Sequence, residues 1–247
     1  MKWWLSIALL IFALNTNAQT VHEGEAWFGY ITTYKLRDKL YLWNDFHFVP
    51  GGFFVSRHGL SYRPNKRFNL TGGYAWVATS TSFTNRLERH EHRPWGQIEY
   101  NTPIARKSSL RARIRYDARI RNRIAGNEVL DDYMFYSRLR VMTSYRFVVK
   151  KFSETTRTHF NVMNEFLVNA GHEVGGWNMD QNRVYLLGGF DVANLTILLG
   201  YHNRIIPAQA GGGTMKHGLT LWLVQTFGEK PRQPDKIITP EEVPQLY

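Results

Sequence analysis

Ser109-Leu-Arg-Ala-Arg-Ile-Arg-Tyr-Asp-Ala-Arg-Ile-Arg121 is the stretch whose reading decides the fold. Its even positions are Leu110, Ala112, Ile114, Tyr116, Ala118 and Ile120. Its odd positions from 111 are Arg111, Arg113, Arg115, Asp117, Arg119 and Arg121. Strand side chains alternate between faces, so a β-strand sorts these residues into one apolar face and one face of arginines around a single aspartate. A helix, with a period of about 3.6 residues, would scatter the same arginines around its circumference. Two environments accept such a strand. A soluble barrel turns the apolar face inward and leaves the arginines in water. An outer-membrane barrel turns the apolar face to lipid and lines its interior with the arginines. Arginine facing lipid costs roughly 2–4 kcal/mol each near the midplane, so the third arrangement fails.

Residues 133–147 choose between the two. One face carries Tyr133, Phe135, Ser137, Leu139, Val141, Thr143, Tyr145 and Phe147, with aromatics at both ends and aliphatics between. A lipid-facing strand with two interfacial girdles, here Tyr133 and Phe135 against Tyr145 and Phe147, has that order. A soluble core has no reason to sort its aromatics by height. The opposite face carries Arg138, Arg140, Ser144 and Arg146, which matches the polar face of 109–121.

The amino terminus agrees with export. Lys2, an apolar run from Trp3 to Leu14, and small residues up to Ala18 have the three parts of a signal peptide cut after Ala18. The run is too short to span a bilayer as a helix. A net charge of +11 suggests nucleic acid at first, but export to an outer membrane argues against that partner. The chain has no cysteine, so a disulfide scaffold is excluded, whereas a barrel closes on hydrogen bonds alone.

From residue 25 onward the alternation recurs in blocks of roughly ten residues. Eleven blocks are counted: 27–36, 39–49, 53–63, 68–79, 95–101, 109–121, 133–147, 156–169, 180–190, 195–204 and 217–227. Single-chain bacterial barrels have even strand numbers, so residues 19–26 are expected to supply a twelfth, with ten as the alternative. Short connections at 103–108, 148–155 and 191–194 predict periplasmic turns. Longer polar stretches at 80–93, 122–132, 170–179 and 205–215 predict extracellular loops. Four of the nine prolines fall in 228–247, which predicts a solvated periplasmic tail open to a partner. The expected organisation is therefore a signal peptide (1–18), an all-β transmembrane antiparallel barrel (19–227) and the tail (228–247).

Several of these pieces resemble a family of outer-membrane barrels common in Bacteroidetes and described only as a domain of unknown function. They are Arg93-Pro-Trp-Gly-Gln97, the arginine strand 111–121, Arg138-Leu-Arg140, Asn164-Glu-Phe-Leu-Val-Asn169, Gln181-Asn-Arg-Val-Tyr185 and Gly200-Tyr201. The resemblance implies an outer-membrane barrel and brings no activity. Outer-membrane lipid and the barrel-assembly machinery are the expected partners.

Catalytic and metal-binding patterns are weak. His58 and Ser61 are three apart, hence on opposite faces of a strand and unable to pair. Asp131-Asp132 with His90 or His92 has the residue types of an acidic protease site, and His90-Glu91-His92 those of a metal site, but all lie in polar stretches read as loops. No enzyme, cofactor or metal is expected. A hydrolase at the extracellular mouth and a soluble lipocalin-like binding barrel are the alternatives. The interior is more informative. Arg111, Arg113, Arg115, Arg119, Arg138, Arg140, Arg146 and Arg183 are expected inside with Gln181, against Asp117, Glu165 and Glu99 as the acids in register. These acids are too few for the arginines. The expectation is a positive interior that is either structural or passes or binds small anions, with some anionic group between the neighbouring arginine faces.

Overall fold

In the computed structural model, which describes residues 20–208 and 211–229, the alternation around Asp117 belongs to the sixth strand of a closed barrel. The strands are β1 (Thr20–Arg37), β2 (Leu40–Val49), β3 (Phe53–Tyr62), β4 (Phe68–Thr81), β5 (Thr84–Ala105) and β6 (Ser108–Ala125). They continue as β7 (Glu128–Lys151), β8 (Thr156–Gly171), β9 (Gly176–Val192), β10 (Leu195–Pro207) and β11 (Gly213–Phe227). Consecutive strands pair antiparallel. The first and last close the wall in parallel, from Thr20 opposite Gly213 to Tyr34 opposite Phe227. The described strands number eleven, not twelve, because residues 20–26 extend β1 instead of crossing separately. The expected signal peptide (1–18) and residues 230–247 of the expected tail lie outside the described residues.

One end of the barrel, the near end, carries the turns at 38–39, 63–67, 106–107, 152–155 and 193–194 and the exit at Phe227. The far end carries the connections at 50–52, 82–83, 126–127 and 172–175, the end of β10 at Pro207, the start of β11 at Gly213 and the entry at Thr20. Two of the expected far-end loops are strand. Arg89, His90 and Glu91 lie opposite Thr79, Ala78 and Val77, and Ile124 lies opposite Val129. The stretches 80–93 and 122–132 therefore shrink to two-residue turns at 82–83 and 126–127, the second helped by Gly126 at φ 57°. Beyond the apolar band both faces of a strand are polar, so hydropathy contrast vanishes although the ladder continues.

Exposure follows the alternation: Ile114 is 57% exposed, Arg115 1% and Asp117 0%. Tyr133, Phe135, Tyr145 and Phe147 are exposed on the outer face of β7, while Arg138 and Arg140 are buried on its inner face. This is the reverse of a soluble barrel's polarity. Where the interior is apolar, aromatic rings pack beside Val49, Met163 and Leu187: Trp27 meets Tyr185, His202 and Trp222 edge-on at 5.9, 5.6 and 6.0 Å. Two inward glycines, Gly59 and Gly73, face each other across β3 and β4. A Cβ on Gly73 would lie 2.0 Å from the His58 carbonyl oxygen, and one on Gly59 would lie 3.1 Å from the Trp95 ring. The Gly72 carbonyl oxygen, at 2.6 Å, is nearer still to a Cβ on Gly59, so the close approach of the two backbones keeps the wall bare there, and Trp95 packs beside it.

Candidate functional site

Arg115 of β6 and Arg140 of β7 are register partners with both guanidiniums inside. Like charges directly opposite repel. Asp117 lies between them, accepting from Arg115 Nε at 2.8 Å through one oxygen and from Arg140 Nε at 2.6 Å through the other. The Arg115 guanidinium also stacks on Trp95, 4.2 Å from the ring centroid. Fork geometry lets a guanidinium hold a carboxylate and a ring face together, which a lysine ammonium cannot do.

The same pattern repeats through the interior. Glu165 is held by Arg113 at 2.6 Å, Arg183 at 3.2 Å and Arg140 at 3.8 Å. Gln181 accepts from Arg183 Nε at 2.8 Å, and that guanidinium lies over Trp27 at 5.1 Å. Arg138 donates to Asn169 at 3.1 Å and Asp180 at 2.9 Å. Arg146 and Arg157 share Asp191 near the near end. Arg111, expected inside with the others, is instead exposed at the near-end rim, where it donates to Asn101 at 2.9 Å. The strand has passed the closed part of the interior by that point.

Several carboxylates were not foreseen. Glu91 is fully buried, gripped by Arg119 through two nitrogens at 2.5 and 2.6 Å and by Arg93 at 2.7 Å. Asp45 takes Arg57 at 2.6 Å and His47 at 2.7 Å. Glu25 takes both nitrogens of Arg204 at 2.6 Å and His202 at 2.7 Å. Glu99, expected among the interior acids, accepts from Asn69 at 3.0 Å. The available signal was the spacing of Arg89, Glu91 and Arg93, which repeats the inward alternation of β6 within a stretch read as loop.

That alternation also separates Glu91 from its neighbours. His90 stacks on Trp76 at 5.4 Å and His92 bonds Tyr74, both on the outer face, so the three residues cannot ligate one ion. Asp131 is exposed, and Asp132 is paired with Arg123 at 2.9 Å. At this far-end rim Arg123 also forks onto Glu173 at 2.9 and 2.6 Å. Its hydrogen bond holds the Glu173 carboxyl below the usual glutamate range.

Asp117, Asp191, Glu91 and Glu165 are each shared by two or three arginines, so among the described residues these four carboxylates are outnumbered by the guanidiniums they hold. Yet these guanidiniums are fixed against carboxylates or rings. At the near end a cavity of about 20 Å³, lined by Arg157, Asp191, Asn194 and Thr196, has room for a water molecule. Glu229 reaches across this end, accepting from Tyr41 at 2.5 Å while its carbonyl accepts from Asn194 at 3.2 Å.

Residues 24–215 match the model of a family described as protein of unknown function, DUF2490. No curated protein and no solved structure matches the chain.

Proposed function

Because the chain belongs to this family of unknown function, its relatives supply no activity, and we propose from its geometry an outer-membrane β-barrel with a structural interior. The observation that carries this reading is the polarity of the wall. Ion pairs beside one apolar cluster fill the inside, and apolar and aromatic side chains cover the outside, up to Trp177 at 76% exposure. In water such a wall would be an apolar patch far beyond the few hundred Å² that soluble monomers carry. In a bilayer it is the solvent-matched face, and the aromatic ends of β7 meet the two interfaces. The signal peptide expected at 1–18 supports the outer membrane of a Gram-negative envelope as the destination.

The excess of arginine supports a positive interior potential. Passage of an anion would nevertheless require breaking forks such as Arg119–Glu91, where removing one partner strands a buried charge. The interior therefore serves the wall: it joins strands through shared carboxylates where a soluble barrel would use an apolar core.

A fluorophore on Leu139→Cys tests the membrane reading. The chain has no other cysteine, and Leu139 is exposed on the outer face of β7. In vesicles of brominated lipid the fluorophore is expected to be quenched, and unquenched emission overturns the reading.

A further inference from the structure

Four polar side chains interrupt the apolar outer wall on three neighbouring strands: Thr32 of β1, Asn44 of β2, and Ser56 and His58 of β3. They form one directed chain. Asn44 Nδ2 donates to Thr32 Oγ1 at 3.2 Å, which turns the amide oxygen toward His58. His58 Nδ1 lies 2.8 Å from that oxygen, and Nε2 of the same ring lies 2.9 Å from Ser56 Oγ. An amide oxygen only accepts, so Nδ1 carries the ring proton and Nε2 is the acceptor facing the serine hydroxyl. Phe46 holds the ring edge-on, centroid to centroid at 5.5 Å.

A hydroxyl, an imidazole that can take its proton, and an amide that fixes the imidazole's tautomer are the three parts of a nucleophilic acyl-transfer site. Such sites are recognised by geometry and not by chain order or fold. We propose that Ser56, His58 and Asn44 form a hydrolytic triad on the outside of the barrel, acting on carboxylic esters of membrane lipids. The substrate class rests on the membrane reading, because an outward group at this height then meets only lipid. Polar side chains facing lipid are costly, and apolar residues at 44, 56 and 58 would build the same wall without that cost.

The position suits an ester. The β2–β3 hairpin is made of two ten-residue strands turning at 50–52. Ser56 lies roughly 13 Å along its strand from that tip, at ~3.3 Å per residue. An ester at the hydrocarbon boundary therefore reaches it with little displacement. Ser56 Oγ adds to the ester carbonyl carbon as His58 Nε2 takes the hydroxyl proton. Collapse of the adduct breaks the bond to the alcohol oxygen, which leaves with that proton, and an acyl-Ser56 remains. Water then adds to the acyl carbonyl, with His58 taking its proton. The carboxylic acid departs, and Ser56 recovers the proton from His58. One water is consumed per ester cleaved. The amides of β3 belong to the ladder with β2 and β4, so the developing oxyanion depends on side-chain donors. Trp76, opposite Ser56 in register, carries an indole N–H on that face. Turnover without backbone donors is expected to be slow.

The test uses the full chain in detergent with a long-chain fluorophosphonate, which phosphonylates activated serines. Mass spectrometry is expected to find the label on Ser56, and none in Ser56→Ala, which removes one hydroxyl from the outer wall. Asn44→Ala is expected to slow labelling by about tenfold or more, and Asn44→Asp, which also accepts from Nδ1–H, to restore it. A second arm uses phosphatidylcholine vesicles containing a fluorogenic acyl ester, with insertion checked by the quench at Leu139→Cys. Wild type is expected to release fatty acid and Ser56→Ala to release none. An unlabelled Ser56 in detergent overturns the triad, whatever the vesicles show. Labelling without release from vesicles that show insertion overturns the lipid ester as substrate. Labelling without quench overturns the lipid assignment together with the membrane reading, while the triad stands.

Discussion

Arg204 of β10 and Glu25 of β1 are joined through both guanidinium nitrogens at 2.6 Å, reaching across the intervening β11. The pair staples the parallel seam from inside, and His202 adds a third bond to the same carboxylate at 2.7 Å. Arg204→Met leaves that carboxylate buried and short of its cation. It is expected to cost about 3–5 kcal/mol in urea unfolding followed by tryptophan fluorescence. The double variant Glu25→Gln with Arg204→Met is expected to recover part of the loss, since both charges are then gone. A double variant no better than the single would show that the seam does not depend on this pair.

Glu91 and Arg111 make a matched contrast. Glu91→Gln strands Arg93 and Arg119 and is expected to lower stability by about 3–5 kcal/mol. Arg111 is exposed at the rim, and Arg111→Gln is expected to change stability by less than about 0.5 kcal/mol. Equal effects on the urea midpoint would contradict the interior described above.

Gly73→Ala would place its Cβ against backbone, 2.0 Å from the His58 carbonyl oxygen. Backbone cannot swing aside, so a loss at the upper end of overpacking, about 3 kcal/mol, is expected. The Cβ of Gly72→Ala meets the Trp95 carbonyl oxygen only at 3.6 Å, and the substitution is expected to be tolerated. Because the clash falls on His58, Gly73→Ala should also slow fluorophosphonate labelling of Ser56.

Glu173 titrates at the far-end rim. Its carboxyl is depressed by the hydrogen bond from Arg123, so its contribution is present above the ordinary glutamate range and is lost as pH falls through the lowered folded value. Proteolytic nicking at 172–175 is expected to rise over that acid window in wild type and to be flat there in Glu173→Gln. A wild-type profile as flat as the variant's would remove the pair from the account.

Planar bilayers test the filled interior. No stepwise conductance is expected from wild type under a salt gradient. Anion-selective steps would restore a solute path through the arginines, and cation-selective steps would contradict the positive interior as well.

Architecture was legible where the wall crosses the apolar band. In β6 and β7 every second residue changes character, so both faces could be assigned from letters alone. Outside that band the contrast is lost, which is why 84–93 read as loop and Glu91 escaped notice as an interior acid. Of the extra acids, Asp45 sits in a strand legible from the sequence and Glu25 in the stretch expected as a separate strand, and the partners that bury them come from other positions in the chain, such as Arg204 for Glu25. Ser56 was missed for a simpler reason. His58 was weighed against Ser61, three residues on and facing inward, while the serine on its own face stands two residues before it.

Parallel closure between β1 and β11 means that the chain joins the wall at one end and leaves it at the other. If the barrel spans a membrane as proposed, the bilayer of a sealed vesicle would then stand between the start of β1 and the end of β11. An epitope joined just ahead of Thr20 and one joined after Phe227 could not both be reached by antibody from the same compartment.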